Sequence, residues 1–272
     1  MVQALQEAPP GHYRFRQVLK SETLKVLTLR STAITAGLTV VTGLLATALV
    51  THAQLHHRPG SYAGFDPTQE SLTGLLIAGL TGGVFGALLI TAEYSSGTIR
   101  ATMAATPRRL LLLVTKIGVA ATGVVVFCEL LSFACFFLGQ AILTGAGPPS
   151  ATLGTPGALR AVVLAGVFIA LLALMSFGFG VILRSTAGAI GAFAGVVFVL
   201  PIVMYGISQP DLRYVPTNML ELSIMATVNR AGAAAGLGGA LPLSPAAALV
   251  LMAAYAAASL ATGAVLFVRR DG

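Results

Sequence analysis

The stretch Glu93–Lys116, EYSSGTIRATMAATPRRLLLLVTK, decides how this chain folds. It separates two long apolar runs, and it is polar enough to break the chain out of a membrane and turn it back in. It also concentrates positive charge, which favours the cytoplasmic side of a bilayer. Its four cations are Arg100, Arg108, Arg109 and Lys116.

The pattern inside this stretch predicts a short helix at the membrane surface. The tripeptide Ser96-Gly97-Thr98 supplies a break and a new start, since glycine tolerates unusual dihedrals and a threonine hydroxyl can cap free amides. Ile99 and Met103 lie four apart and share one face, while Arg100 points elsewhere. The dipeptide Thr106-Pro107 is typical of the cap and first residue of the next helix. A short amphipathic helix between two spans suits docking to a separate protein.

The local pattern E-x-x-x-G-T-I-R-x-T-x-x-x-x-P-R-R-x-x-L-L-x-x-K resembles the cytoplasmic coupling segment of permease subunits in ATP-binding cassette (ABC) transporters of the type-2 export class. The resemblance implies that residues 96–106 form a coupling helix that docks into a separate ATPase subunit. The interface residues it implies are Glu93, Ser96, Gly97, Thr98, Ile99, Arg100, Met103, Pro107 and Arg108. ATP and Mg²⁺ would then be bound by the partner, with no cofactor on this chain.

Composition places the chain in a membrane. Of 272 residues, 56% are hydrophobic and 9% are charged, and the mean hydropathy is +0.88. A soluble domain carries about 25% charged residues. The apolar runs are continuous over about 20 residues, which fits membrane helices and excludes the alternating strands of a barrel.

The fold class predicted is an all-α polytopic membrane protein with six transmembrane helices in a single domain, residues 1–272. Short outer helices are expected within residues 208–244, where Leu220, Ile224 and Val228 recur every four residues behind a cap at Thr217-Asn218. A flexible Ala/Gly run would follow at 231–240. The spans are expected at about residues 32–51, 71–92, 111–143, 161–183, 187–207 and 245–268, with a possible kink at Pro201.

The N-terminal region is expected to stay outside the membrane core. Residues 1–12 read as a disordered tail, and residues 13–30 as a basic amphipathic helix at the lipid interface or a plain cluster of anchoring charges. Twelve of the sixteen Lys and Arg residues fall on the side of the two termini and four on the other. This bias predicts that both termini are cytoplasmic. It accounts for the net charge of +7 without a nucleic-acid partner.

Two carboxylates are candidates for function. Glu129 is the one ionisable residue deep inside a predicted span, so it is either a pathway residue or a packing residue hydrogen-bonded to Gln140 or to a hydroxyl of another helix. Glu93, at the inner end of the second span, either pairs with a basic residue of its own chain or hydrogen-bonds the turn at Ser96–Thr98, while the resemblance implies a contact with the ATPase.

The remaining motifs give little evidence about function. His52, His56 and His57 lie in a predicted outer loop, His52–Glu70, and favour solvation over metal binding. Cys128 and Cys135 are too far apart on one helix to form a disulfide. The glycines of the second span suit either close packing in mid-bundle, a dimer seam, or only the usual membrane-helix composition.

The sequence lacks a Gly-Lys-Ser/Thr phosphate loop and the common zinc-peptidase and hydrolase signatures. The chain is therefore not expected to be an enzyme. The resemblance implies an exporter permease in the bacterial cytoplasmic membrane, working as a homodimer or with a sister permease. The alternatives are an ATP-independent transporter or channel that uses Glu129, and a membrane enzyme or assembly subunit.

Overall fold

The structure is a computed structural model that describes residues 30–57, 65–99, 109–207, 209–225 and 243–270. Within these ranges the regular secondary structure is entirely helical, and six helices are long and apolar enough to cross a membrane. The all-α, six-span prediction is confirmed at this level. The tail at 1–12, nearly all of the interfacial helix at 13–30 and the coupling residues 100–106 lie outside the described residues.

The helices follow one another with short connections. The first three spans are α1 (Arg30–His57), the pair α2 (Pro67–Leu72) and α3 (Leu75–Ser95), and α4 (Arg109–Ala146). The fourth is α5 (Ala158–Leu183), and the fifth joins α6 (Thr186–Ala194), a π-helical segment (Gly195–Val199) and α7 (Leu200–Ile207). A 3-10 segment (Gln209–Tyr214), α8 (Pro216–Ile224) and the sixth span, α9 (Pro245–Arg270), complete the fold.

The boundaries between the first two spans differ from the prediction. The predicted loop began at His52, but α1 continues to His57, because residues 52–57 contain no helix breaker and Pro59 is the first. The second span begins at Pro67 rather than at residue 71. Asp66 caps it, since its carboxylate accepts from two backbone amides at 2.9 and 3.2 Å.

The third helix is longer than a bilayer is thick. Its span was predicted at about residues 111–143, in a helix that begins at Pro107, and α4 covers Arg109–Ala146, 38 residues. At 1.5 Å per residue this is about 57 Å against a hydrocarbon core of about 30 Å. Part of α4 must therefore project beyond the hydrocarbon.

The fourth span, α5, is the centre of the bundle, with 72% of its apolar window buried. The second span lies directly against it, because Gly86 has no side chain to hold the two backbones apart: a Cβ at Gly86 would lie 2.0 Å from the carbonyl oxygen of Ala173. Gly83 likewise leaves room for the ring of Phe193 in α6. The glycines at these two positions therefore serve close packing in mid-bundle.

The fifth span is interrupted before the proline that was expected to kink it. The π-helical segment Gly195–Val199 precedes Pro201, which has no N–H to continue the normal hydrogen-bond ladder. Beyond this point α7 packs mainly on the π-helical segment and on the 3-10 segment that follows. The second half of the fifth span thus diverges from the bundle.

The predicted amphipathic helix after the fifth span is present as α8, but its cap is not the one expected. The helix begins at Pro216, one residue before the Thr217-Asn218 pair. The Asn218 side chain instead donates to the carbonyl of Leu212 at 3.1 Å. Leu220 and Ile224 are buried, as their spacing predicted. Val228 and the run 231–240 lie outside the described residues.

The alternating direction of the spans gives the bundle two ends. The "Glu93 end" carries the C-termini of α3, α5 and α9 and the N-termini of α4 and α6. The "Gln140 end" carries the C-terminus of α4 and the N-termini of α2, α5 and α9. The predicted coupling segment joins α3 to α4 at the Glu93 end.

Candidate functional site

The site begins with the turn that ends the second span. Gly97 adopts a φ of +71°, a left-handed conformation that favours glycine. The Ser96 hydroxyl lies 2.9 Å from that of Thr98 and donates to the carbonyl of Ala92 at 2.8 Å. The turn residues 96–98 are exposed. The predicted break is therefore present, with its hydroxyls closing the end of α3.

A buried ion pair joins the two helices on either side of this turn. The Lys116 ammonium donates to both carboxylate oxygens of Glu93, at 2.5 and 2.7 Å. The side chains are only 4% and 9% exposed, so water screens the pair weakly. Of the alternatives for Glu93, the structure shows pairing with a basic residue of its own chain. Because a lone buried charge is costly, the pair holds the end of α3 to the beginning of α4.

A second apolar cluster lies beside the ion pair, apart from the main core. We call it the end cluster, and it draws residues from four spans and from the start of the coupling segment. Its buried members are Ile90, Ile99, Leu113, Ala120, Phe177, Val181 and Phe267. Ile99 thus anchors the start of the predicted coupling segment to helices from across the bundle.

The turn between the fourth and fifth spans contacts the end of the second span. Arg184 ends α5 in a left-handed conformation, with a φ of 54°, and its guanidinium lies 5.7 Å from the centre of the Tyr94 ring. The Thr186 hydroxyl donates to that of Thr91 at 3.0 Å. Residues 184–186 form a tight turn, and it ties the fifth span to the end of the second.

The predicted interface residues fall into three groups. Ser96, Gly97 and Thr98 are exposed on the turn. Glu93 and Ile99 are buried, and Ile99 is 4% exposed, so its side chain packs inside this chain rather than on a docking face. The remaining predicted residues lie outside the described ranges: Arg100, Met103, Pro107 and Arg108.

A second polar contact joins the same two spans at the opposite end. The Gln140 amide nitrogen donates to the carbonyl of Pro67 and to the Ser71 hydroxyl, both at 2.8 Å. Its amide oxygen accepts from the N–H of Ala151 at 2.6 Å. Gln140 lies 24 residues after Lys116, about 36 Å along α4. The second and third spans are therefore fastened near both borders of a bilayer.

Glu129 lies between these two contacts, against the fourth span. A Cβ at Gly166 would lie 2.7 Å from its carboxyl carbon, so the carboxyl occupies the space that glycine leaves. The carboxyl accepts a hydrogen bond from the backbone of Val167. The carboxyl oxygen Oε1 is buried without a hydrogen-bond partner among the described residues. Of the alternatives for Glu129, a contact with Gln140 is not formed, because that amide is engaged elsewhere.

Metal and thiol chemistry find little support. Across the described ranges, no three His, Cys, Asp or Glu side chains are placed to hold a metal ion. His52 lies in α1 rather than in a loop. Cys128 and Cys135 are both free and buried, in agreement with the prediction that they do not pair.

Sequence reasoning did not identify Lys116 as the partner of Glu93, and it missed the Gln140 contact between the second and third spans. The available signal was the position of Lys116, which follows an apolar run and so needs a partner when it is buried. Gln140 gave a weaker signal, because the sequence does not show which groups a single amide in an apolar span contacts once the helices pack together.

Comparison with models of known protein families finds no match to this chain, and comparison with curated proteins finds none either.

Proposed function

We propose that this chain is the transmembrane permease subunit of an ATP-driven ABC exporter of the type-2 class. A separate cytoplasmic subunit would bind ATP and Mg²⁺, and a second permease copy, identical or a sister chain, would complete the transport pathway. Both termini would lie in the cytoplasm of a bacterial cell whose cytoplasmic membrane holds the complex.

One observation carries this proposal. The segment with the coupling-like pattern connects two spans whose facing ends are locked together by the buried Glu93–Lys116 pair. Ile99, at the start of the segment, packs with Phe177 and Phe267 from the fourth and sixth spans. A push applied to the segment would therefore reach several spans together.

The mechanism follows from this connectivity. Closure of the ATPase subunits would displace the coupling segment, and the buried ion pair would keep α3 and α4 from separating under the load. The Gln140 contact would hold the same helices together at the far end. Close packing at Gly86 would then pass the displacement to the central fourth span. Two such subunits would rock relative to each other and open an exit on the outer side.

The docking contact itself would be made by residues beyond Ile99. Met103 would exclude water from the interface, and Arg100 and Arg108 would pair with acidic groups of the ATPase. The test is purification in mild detergent from the native membrane, followed by mass spectrometry. A soluble ATP-binding protein should co-purify in equal amount. Met103→Glu and Arg100→Gln should lose it while the chain still inserts, and retention by both variants would refute the proposal.

A second candidate, an ATP-independent transporter, is favoured by the Glu129 carboxyl. A carboxyl within a membrane span with an unpartnered oxygen is a functional candidate by default. The discriminating measurement is transport under two treatments. Loss of transport on ATP depletion supports the exporter, whereas loss only on collapse of the proton gradient supports this second candidate.

A further inference from the structure

The divergence of the fifth span opens a cleft in the side of the bundle. After the π-helical segment, α7 turns away, and it leaves residues such as Ile202 and Ile207 exposed at 74% and 80%. A cavity of about 430 Å³ lies beside α7, between the fourth, fifth and sixth spans. Its volume lies within the range of small-molecule sites, about 300–1,000 Å³.

The walls of this cleft are apolar. Among the described residues, no charged side chain lines it, and its lining includes Met175, Phe179, Leu200, Met204, Tyr214 and Tyr255. Two of the hydroxyls that line it are already engaged: Tyr255 donates to the carbonyl of Tyr214 at 3.3 Å, and Ser259 to that of Ala256 at 2.8 Å. Such walls offer no replacement for the hydration of a charged molecule, so the body of an occupant must be apolar.

The positively charged side chain of Arg213 lies at the wall of the cleft. The Arg213 guanidinium carbon lies 4.7 Å from the centre of the Tyr214 ring, which lines the cavity. Its Nε is buried and donates to no acceptor among the described residues. Arg160, at the same end of the bundle, contrasts with it, since it donates to the carbonyl of Met225 at 2.9 Å. Arg213 therefore places a positive charge beside the cleft, and none of the described residues neutralises it through Nε.

We propose that this cleft binds an anionic lipid of the surrounding bilayer, with an acyl chain along the apolar walls and the anionic headgroup at Arg213. The cleft lies between membrane helices, so hydrocarbon chains are the apolar molecules at hand. Arg213 follows the end of α7 by six residues, which places it near the Gln140-end border where headgroups lie. Basic positions beside clefts between spans hold anionic headgroups by charge and hydrogen bonding. This inference is independent of the exporter proposal.

The experiment uses the full chain in vesicles of phosphatidylcholine and phosphatidylglycerol at a 3:1 ratio. After extraction into mild detergent, mass spectrometry counts the lipids retained by each chain. We expect about one tightly held phosphatidylglycerol. Its ratio to phosphatidylcholine should exceed that of the vesicles about fivefold, which corresponds to the ~1 kcal/mol of one arginine near a lipid surface.

Two kinds of variant test separately the role of the Arg213 charge and the role of the space in the cleft. Arg213→Gln should keep a lipid but return the ratio to that of the vesicles, while Arg160→Gln, its matched control, should keep the enrichment. Ala258→Phe fills the cleft and should abolish retention, whereas Ala257→Phe, on the opposite face of α9, should leave it intact. Thr262→Phe is a second cleft-filling variant in case Ala258→Phe fails to fold.

Three results would overturn the proposal. They are a wild-type ratio equal to that of the vesicles, enrichment that survives Arg213→Gln, and retention in a folded cleft-filling variant equal to that of Ala257→Phe.

Discussion

Replacing the buried Glu93–Lys116 pair tests whether it fastens the second span to the third. Glu93→Met leaves the Lys116 ammonium buried without a counter-charge, and Lys116→Met does the same to the carboxylate. Each change should lower the free energy of unfolding by about 3–5 kcal/mol, the usual cost of breaking a buried pair from one side. The double variant replaces the pair by an apolar contact of similar size, and it should unfold within about 1 kcal/mol of the wild type.

The chain carries its own reporters for this measurement. Cys128 and Cys135 are about 1% and 0% exposed, so a thiol-reactive dye should label them only as the bundle opens. Detergent-purified variants are followed by dye fluorescence against denaturant. The two single losses should sum to about 6–10 kcal/mol, far above the loss in the double variant. Single losses below about 1 kcal/mol, as for solvent-exposed pairs, would refute a buried fastening.

Three further predictions use the same unfolding assay. Gly86→Ala should cost about 1–3 kcal/mol or more, because its methyl group would meet backbone, whereas Gly118→Ala, with open space around it, should be neutral or gain up to about 1 kcal/mol. Gln140→Met should cost about 1–3 kcal/mol for each buried group it leaves unpaired, and a neutral effect would mean that water reaches the site. Gly166→Ala should destabilise the wild type but have little effect in a Glu129→Ala background, and equal costs in both would show that the carboxyl does not fill that space.

The spans could be predicted from the sequence because hydrocarbon thickness and apolar run length are linked directly. The break at residues 96–98 also followed from local chemistry, since Gly97 permits the left-handed conformation found there. Helix ends were harder to place. The apolar run of α1 stops near Thr51, but the helical backbone continues to His57. The end of an apolar run therefore does not mark the end of the helix.

The partners of single polar side chains could not be read from the sequence. Glu93 and Lys116 are 23 residues apart, and Gln140 reaches residues about 70 positions away. Such pairings depend on how the helices are rotated and staggered, which periodicity does not specify. The burial of Ile99 was missed for the same reason, because its spacing defines a helix face but not what that face contacts.

The most direct test of the central claim is site-specific photo-cross-linking from position 103 in native membranes. A photoreactive residue in place of Met103 should cross-link to one soluble protein on the cytoplasmic side, and that protein should bind ATP. The same probe should be shielded from a membrane-impermeant reagent added outside the cell. Cross-links to lipid alone, or labelling of position 103 from outside, would contradict the account.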